Sequence, residues 1–315
     1  MSTPAEQRLL MDQPLMNRPL AGIVLYHPDL EVLSGLISAI APEIAGLTLV
    51  CNTPLAPAEA SLLEAAAGNI PFRIDDAGGN IGLGLAYQRI MAGTKGKRVI
   101  LFDQDSSPPP GMITSLMETM DLLQKTGQRP AIAGPKPVSA SPDYKSPTIH
   151  RHSSGLRIGE ASAVWFTISS GSLVEPAAFA AIGDFRGDFF IDAIDVEWGF
   201  RAWSKGYSCW LAENIEMPHR LGGGHIRIPL LGWQMPAQPP MRLYTYARNQ
   251  AAMLRLPYIP GAWKRKACLY LMVQTIAYWL GDHGRLIRPS SIIKGFIAGL
   301  AGRLGPPPAE VTTKR

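Results

Sequence analysis

The sequence predicts an α/β protein with a mostly parallel, Rossmann-like central sheet flanked by helices. Short apolar runs alternate with helical segments over the first 125 residues, a spacing typical of parallel strands joined by right-handed crossovers. The chain has 315 residues, of which 46% are hydrophobic and 17% charged. A chain of this length and composition can bury a large core. An acidic pair follows the fourth apolar run and indicates where a site would lie.

Turn signals such as His27-Pro-Asp and Asn52-Thr-Pro divide the first part of the chain into strands and helices. The predicted strands are 21–26, 47–51, 71–74 and 98–102. The predicted helices are 29–41 and 58–67. A third predicted helix begins at the glycine-rich segment 78–84 and ends near residue 92. Strands and helices in this order favour a parallel sheet, whose ligands bind outside the carboxyl ends of the strands.

Beyond residue 110 the alternation is less regular, and the sequence predicts a mixture of elements. The predicted helices are 111–125, 189–204, 241–256 and 262–281. The predicted strands are 131–133, 165–169 and 207–211. Residues 135–155 and 217–240 are rich in Pro, Gly, Ser, His or Trp and are predicted to be loops, with a turn at 170–172.

We expect four regions: a flexible N-terminus (1–19), a catalytic domain (20–240), a C-terminal helical region (241–305) and a disordered tail (306–315). Residues 241–315 contain 12 of the 30 lysines and arginines but only 2 of the 25 aspartates and glutamates. This basic segment indicates a polyanionic partner or an anionic membrane surface. Nucleic acid is not expected, because no binding module for it is recognisable.

Cysteines and the chain start favour a cytoplasmic protein. Cys51, Cys209 and Cys268 are odd in number and widely spaced, so they predict neither a disulfide framework nor a metal knuckle. The N-terminal residues place acids and prolines where a signal peptide needs an apolar stretch.

The segment Ala267–Leu280 has 14 mainly apolar residues, fewer than the roughly 20 that span a bilayer. Basic residues lie before it, at Lys264 to Lys266, and after it, at Arg285 and Arg288. This pattern favours a helix that lies on anionic lipid. A buried helix with a solvated basic end remains the alternative.

Asp103 and Asp105 follow the fourth predicted strand, and their spacing of two places both carboxylates on one face where the strand ends. Two acids this close repel each other unless a cation or a hydrogen-bond donor compensates. Oxygen ligands of this kind suit Mg²⁺ or Mn²⁺ together with a phosphate ester. The alternative is a strand-end pair that caps the next turn.

The glycine-rich segment 78–84, GGNIGLG, does not have the spacing of a dinucleotide-binding fingerprint. It could form a tight strand-to-helix turn. It could also let the backbone approach a nucleotide closely, with Asn80 as a polar contact.

Acidic residues also lie in an aromatic run, FFIDAIDVEWGFRAW. Asp192 could cap the helix, and Glu197 could pair with Arg201 four residues later on the surface. A carboxylate in an apolar wall tends to have a raised pKa, as a general base requires, so we expect a base in this segment. Farther on, His219 precedes a glycine-rich stretch and could swing onto a metal, although a lone histidine is more often structural.

The motifs occur in the order GNIGLGLAYQ, ILFDQDS, ISSGSLV, IGDFRGDFFIDAIDVEWGFRAWSKGY, PHRLGGG and RLYTYARNQ. This order resembles the bacterial family 2 glycosyltransferases with a GT-A fold, and specifically their rhamnosyltransferase branch, over residues 20–255. DQDS and FFIDxxDxEWxxR are the most specific segments. The resemblance implies inverting transfer of a sugar from a nucleotide-diphosphate donor such as dTDP-rhamnose, with Mg²⁺ or Mn²⁺ on the diphosphate.

Together with this resemblance, the apolar and basic C-terminal segment fits an enzyme on the inner face of the cytoplasmic membrane. Its expected acceptor is a saccharide carried on a polyprenyl diphosphate, in cell-surface polysaccharide synthesis. The resemblance makes Asp195 the catalytic base, and Asp105, His219 and Asp103 the metal site. The implied donor-binding residues are Tyr26, Asn52, Asn80, Gly82, Asp103, Gln104 and Asp105. The implied acceptor region contains Gly171, Asp192, Glu197 and Trp198.

Two departures from the family pattern lie in these motifs. Many relatives have Asp-Asn after the second strand, where the Asp reads the donor base, but this chain has Cys51-Asn52. Many relatives also have Glu-Asp at the base position, where this chain has Ile194-Asp195. The first departure leaves the donor base open, and the second keeps Asp195.

Two other functions remain open. A haloacid-dehalogenase-like phosphatase also uses DxD after an apolar strand, with Asp103 as the nucleophile and Asp105 as the acid. Against this alternative, three strands precede the motif, and the sequence shows no convincing downstream acidic pair with a preceding lysine. The other alternative is a non-catalytic module of GT-A type that binds membranes. Donor-dependent release of a nucleoside diphosphate would separate the three functions.

Overall fold

A computed structural model describes residues 18–94, 96–140, 146–219, 225–227, 234–282 and 284–312. Its centre is a nine-stranded mixed sheet, and a two-stranded ribbon lies apart from it. The sheet strands are β1 (Leu20–Leu25), β2 (Gly46–Cys51), β3 (Phe72–Asp76), β4 (Val99–Asp103), β5 (Pro130–Ser139), β6 (Arg157–Ile158), β7 (Ala161–Val164), β8 (Ser172–Val174) and β9 (Ser208–His219). The ribbon strands are β10 (His225–Arg227) and β11 (Gln234–Pro236).

Helices cover both faces of the sheet, and further helices form a C-terminal group. The first six are α1 (Leu30–Ile40), α2 (Pro57–Ala67), α3 (Gly82–Ala92), α4 (Met112–Lys125), α5 (Pro176–Ile182) and α6 (Ile194–Ser204). The C-terminal ones are α7 (Pro240–Met253), α8 (Gly261–Gly281), α9 (Ile287–Leu300) and α10 (Ala309–Thr312). The predicted α/β class is thus confirmed.

The strand order is β3-β2-β1-β4-β8-β5-β9-β7-β6. The first four strands pair in parallel, as the alternation of strands and helices predicts. Alternate residues of β1 face different helices, because successive side chains of a strand point to opposite faces. Ile23 and Leu25 pack in a core with α1, α2 and α4, whereas Val24 packs in a core with α3, α5 and α6. The carboxyl ends of the parallel strands therefore remain open at one edge.

The middle of the chain differs from the prediction. Residues 165–169 form no strand; the strands flank them, as β7 and β8. The predicted loop 135–155 begins too early, because β5 continues to Ser139 and pairs in parallel with β9 up to His219. Prolines within both strands and a register shift after Pro135 disguise this pairing in the sequence.

The C-terminal region contains more helix than the sequence suggests. Helix α9 was not predicted, and it crosses α7 so closely that a Cβ at Gly295 or Gly299 would collide with α7 backbone carbonyls. The short helix α10 lies within the segment 306–315, which was predicted to be disordered. Residues 313–315 lie outside the described residues. Residues 1–17, most of the predicted flexible N-terminus, also lie outside them. Among the helices of the described chain, not one has the length and apolarity to cross a membrane.

Candidate active site

A pocket of about 590 Å³ opens at the carboxyl edge of the parallel strands. It collects most of the side chains that the sequence singles out, although they come from widely separated elements. The predicted site residues that line it are Tyr26, Asn52, Asn80, Gly82, Asp103, Gln104, Asp105, Asp192, Asp195 and His219. Topology brings these residues together, as expected for a sheet of this type.

The turn that carries the acidic pair is held by hydrogen bonds. The backbone N–H of Asp103 donates to Ser170 Oγ at 3.2 Å, and Ser170 Oγ lies 2.6 Å from Ser106 Oγ. The side-chain amide of Gln104 donates to the carbonyl of Tyr26 at 3.0 Å and accepts from its N–H at 2.8 Å. Gln104 therefore ties the ends of β4 and β1 together, and its amide is engaged by the protein itself.

Negative charge is concentrated at this turn. Burial raises the pKa of Asp103, and the charge of Asp105 raises it further, while His219 and Arg242 lower it. Such a pair favours a bound cation. Two carboxylates and one imidazole on one pocket suit a hard divalent ion in donor type. Over the described part of the chain, no three His, Cys, Asp or Glu side chains are already gathered as a metal-binding group.

The glycine-rich segment forms a tight turn between β3 and α3. Asn52 Oδ1 accepts from the N–H of Ile81 at 3.1 Å, and Asn80 Oδ1 accepts from that of Gly82 at 3.0 Å. Gly82 has φ +81°, and a Cβ there would lie 2.5 Å from the Phe190 ring. Packing against Phe190 therefore explains why position 82 is glycine.

Asp195 lies in the first turn of α6, at the pocket wall and partly exposed. Burial raises the pKa of its carboxyl to about 6; hydrogen bonds from backbone N–H groups lower it, and the charges of Asp103 and Asp192 raise it. One of these bonds comes from Val196 N–H to Oδ1 at 2.8 Å. A carboxylate with this pKa can accept a proton near neutral pH, which is the property of a general base.

Asp192 does not cap the helix, which rules out the alternative that the sequence left open for it. The helix begins at Ile194 rather than near 189, and its N-cap is Ala193 in a left-handed conformation. The Asp192 carboxylate instead accepts from Arg242 Nη2 at 2.6 Å and Nε at 2.9 Å, and from Thr245 Oγ1 at 2.6 Å. It is therefore a paired group and not a free base.

The segment before Asp195 is strained, and α7 holds it. Phe190, Asp192 and Ala193 have φ values of 62°, 70° and 59°, which residues other than glycine rarely adopt. The side-chain amide of Asn249, which is fully buried, donates to the carbonyls of residues 189, 191 and 192 at 2.9, 2.8 and 2.8 Å. Arg248 Nη2 adds a bond to the first of these carbonyls at 2.9 Å. These contacts hold the backbone that precedes Asp195 in its position.

Three predicted residues of the acceptor region lie outside the pocket. Glu197 is fully buried and accepts from Arg201 Nε and Nη2, both at 3.0 Å, and from the Tyr258 hydroxyl. The predicted pair with Arg201 thus exists but is buried, not on the surface. Trp198 is also buried and donates to a backbone carbonyl at 2.9 Å. Gly171 has φ +78° in a turn, and its backbone N–H donates a hydrogen bond to the carbonyl of Leu101.

Arg242 is a charged pocket residue that the sequence did not single out. It lies in the RLYTYARNQ motif, within the basic C-terminal segment, and only its charge marks it there. Its contact with Asp192 joins residues 50 positions apart. Local sequence patterns do not indicate a contact over such a distance in sequence, so this pair could not be predicted from the sequence.

Comparison with curated proteins finds a relative that matches most of the chain. The chain is 26% identical over 265 residues to the dTDP-rhamnosyl transferase RfbF of Shigella flexneri, covering 81% of this chain and 86% of that protein. No protein-family model matches the chain.

Solved structures share the fold at low identity. Staphylococcus aureus TarS in complex with UDP-GlcNAc matches with a TM-score of 0.57 at 12% identity, over 90% of this chain and 81% of that one. The mannosyltransferase PcManGT from Pyrobaculum calidifontis, in complex with GDP-Man and Mn²⁺, matches with a TM-score of 0.51 at 11% identity, over 95% and 94% of the two chains. For GalNAc-T7 with UDP, GalNAc and Mn²⁺ the TM-score is 0.54 at 13% identity, and the match covers 85% of this chain but spans only 58% of GalNAc-T7.

Together, these comparisons show that the structure has the GT-A fold and that the sequence is similar to a glycosyltransferase over most of its length. Within that class the chain is similar to a rhamnosyltransferase, as the motifs indicate.

Proposed function

We propose that this chain is an inverting family 2 rhamnosyltransferase that uses dTDP-rhamnose as donor and a saccharide hydroxyl as acceptor. One observation carries the proposal. The Asp195 carboxylate, with a pKa of about 6, lines the same pocket as the paired carboxylates Asp103 and Asp105. A proton acceptor thus lies in one cavity with a group suited to a metal diphosphate. The sequence relationship to RfbF supports the donor.

The residues at the end of β4 have the chemistry to hold a divalent ion. Asp105, with Asp103 and His219, would bind Mg²⁺ or Mn²⁺, which when bound neutralises charge on the departing diphosphate. Burial and then the charge of Asp105 raise the pKa of Asp103, and a bound cation would relieve the repulsion between the two carboxylates. The rest of the donor side is lined by Tyr26, Asn52, Asn80, Gly82 and Gln104.

The proton chemistry falls to Asp195. Its carboxylate removes the proton of the acceptor hydroxyl while that oxygen bonds to the anomeric carbon and the nucleoside diphosphate leaves. A single displacement inverts the anomeric configuration, so no covalent bond between sugar and protein is needed. One base is sufficient for this reaction, and the other acids of this segment, Asp192 and Glu197, are engaged in ion pairs.

The C-terminal region supports a proposal for the acceptor and the location. We infer an acceptor linked to a polyprenyl diphosphate, as part of cell-surface polysaccharide synthesis, and a peripheral position on the cytoplasmic face of the membrane. The excess of basic residues over 241–315 supports an anionic surface as partner.

A donor screen tests the proposal. Purified protein is mixed with Mg²⁺ or Mn²⁺ and with dTDP-rhamnose, UDP-GlcNAc or GDP-mannose, and protection against thermal unfolding is measured. We expect metal-dependent protection by dTDP-rhamnose above the others. Stronger protection by another donor would reject the proposed donor. Release of phosphate from simple esters without a nucleotide sugar would instead indicate a phosphatase, and donor binding without turnover a binding module.

A further inference from the structure

Helices α8 and α9 carry apolar side chains that face solvent. On α8 they recur every three or four residues, which places them along one stripe of the helix. The exposed apolar residues of α8 on this stripe are Leu269, Met272, Val273, Ile276 and Leu280. The exposed apolar residues of α9 and of the position just before it are Leu286, Ile287, Ile293, Ile297 and Leu300. Single exposed apolar residues are ordinary, but a contiguous set marks an interaction surface.

A groove joins the two stripes into one surface. It has a volume of about 250 Å³ and is lined almost wholly by apolar side chains. Its walls are Cys268, Leu271, Met272 and Thr275 from α8, and Ile292, Ile293, Phe296 and Ile297 from α9. Because Met272, Ile293 and Ile297 are both exposed and groove-lining, the stripes are continuous across it. We call this surface the α8–α9 face.

The charge around the α8–α9 face is mostly positive, although Glu310 shares a small cavity with Lys294. Arg265 and Lys266 are exposed at the start of α8, and Lys294 is exposed on α9 beside Ile293. Residues 241–315 contain only two carboxylates, Asp282 and Glu310, and Asp282 is paired with Arg288 at 2.5 Å. An apolar face bordered by cations complements a surface with acyl chains beneath anionic groups.

The α8–α9 face lies near the candidate active site. A small cavity is shared by Leu286 and Ile287 at the start of α9 and by Pro240 at the start of α7. The next residues of α7, Met241 and Arg242, line the active-site pocket. Arg288 Nε also donates to the Gln238 carbonyl at 3.0 Å, just before α7. One end of the face therefore lies beside the pocket wall.

We propose that the α8–α9 face docks on an anionic lipid membrane, with the groove taking up hydrocarbon chain. The docking rests on the surface alone, whereas presentation of a lipid-linked acceptor to Asp195 rests on the proposed function. Insertion is interfacial, because no helix in the described part of the chain can cross a bilayer.

Cys268 offers a direct probe, because it lines the groove and is exposed while Cys51 and Cys209 are buried. Burial raises the pKa of both buried thiols and protects them, so an environment-sensitive fluorophore will label Cys268 selectively. The full chain is titrated with vesicles of phosphatidylglycerol and phosphatidylcholine in equal parts. We expect a blue-shifted emission that high salt reduces and that pure phosphatidylcholine vesicles reproduce only weakly.

Variants of unlabelled protein test the face by vesicle co-sedimentation. The double variant Ile293→Asp, Ile297→Asp changes side chains that are 51% and 53% exposed, so the fold should tolerate it. Vesicle affinity should fall roughly tenfold or more, since one buried isoleucine is worth about a factor of ten. The matched control Leu62→Asp changes a side chain on α2 with 47% exposure and should bind like the wild type.

The cations are tested in the same way. Arg265→Ala and Lys266→Ala should each weaken binding to anionic vesicles roughly fivefold, and the control Lys97→Ala should not. Unchanged affinity of the Ile293/Ile297 double variant would overturn the proposal. The proposal would also be overturned by two results together. Light scattering would show that the wild type is a dimer and the double variant a monomer, and the wild type would not bind vesicles. Activity on a short soluble acceptor separates the two proposals, because loss of docking should leave it intact.

Discussion

Arg242 and Asp192 form a two-point ion pair at the wall of the candidate active site, with Arg242 Nη2 2.6 Å and Nε 2.9 Å from Asp192 Oδ1. The pair connects α7 to the segment that leads into Asp195. It also places a cation near Asp103, whose pKa Arg242 lowers. The C-terminal helices are thus part of the candidate site and not an appendage to it.

Removal of this cation should weaken binding of the anionic donor. In Arg242→Ala the pocket loses a positive charge that would attract a diphosphate, and Asp192 loses its charged partner. We expect the dissociation constant for dTDP-rhamnose with Mn²⁺ to rise about tenfold by calorimetry. Arg242→Lys keeps the charge and should lose less. Equal affinities of Arg242→Ala and wild type would show that the cation does not tune this pocket.

Asn249 should be a main determinant of stability. Its side-chain amide donates to three carbonyls of a segment with left-handed residues, and Asn249→Ala leaves these buried groups without that donor. The free energy of unfolding should fall by about 2–4 kcal/mol, measured by urea denaturation. Asn69→Ala, at an exposed position, is the control and should change it by less than about 0.5 kcal/mol. A loss below about 1 kcal/mol for Asn249→Ala would contradict this role.

Sequence patterns predicted the parallel half of the fold well. The strands that end at Cys51 and Asp103 follow from apolar runs and turn signals, and both are local features. The position of Asp103 at a sheet edge then follows from topology alone. The same reasoning placed Asp195 in an apolar wall, because the aromatic run around it is visible in the sequence.

The other features depend on tertiary contacts. Strand β9 continues to His219 because it pairs with β5, although prolines interrupt both sequences. Glu197 has the spacing of a surface pair, yet it is buried and accepts a hydrogen bond from Tyr258, which is distant in sequence. Helix α9 has no strong capping signal, and its glycines make sense only against the backbone of α7.

Asp195→Asn should stabilise the protein at alkaline pH. The pKa of Asp195 is about 6 in the folded protein, above its ordinary value of 3.8. The folded state therefore binds the proton more tightly than the unfolded state, and ionisation of the carboxyl costs stability as pH rises through 4 to 6. At pH 8 the variant should be more stable than wild type by about 1–2 kcal/mol, allowing for solvent in the open pocket.

The stability measurement is repeated at a pH below about 4, where both states of the wild type carry the proton. There the difference between wild type and Asp195→Asn should vanish. A variant that is less stable at pH 8 would show that the carboxyl is not held in an unfavourable environment.

Asp105→Ala should abolish the metal dependence of donor binding. Asp105 lies on the same pocket as Asp103 and contributes to the charge that a divalent ion would neutralise. We expect the thermal protection by dTDP-rhamnose with Mn²⁺ to fall to the level seen without metal. Asp121→Ala, which removes a half-exposed carboxylate of α4 paired with Arg98, is the control and should keep the metal response. Unchanged protection in Asp105→Ala would exclude the proposed ligand.

The central claim is that Asp195 is the base of a sugar transfer. The most direct measurement compares rhamnosyl transfer from dTDP-rhamnose by wild type and by Asp195→Asn across pH, together with donor affinity. Wild-type turnover should rise with pH to a plateau above about 6, because the base must be ionised. The variant should lose about 10²–10⁴-fold in turnover while its donor affinity is unchanged. Turnover within tenfold of wild type, with the same pH profile, would contradict the account.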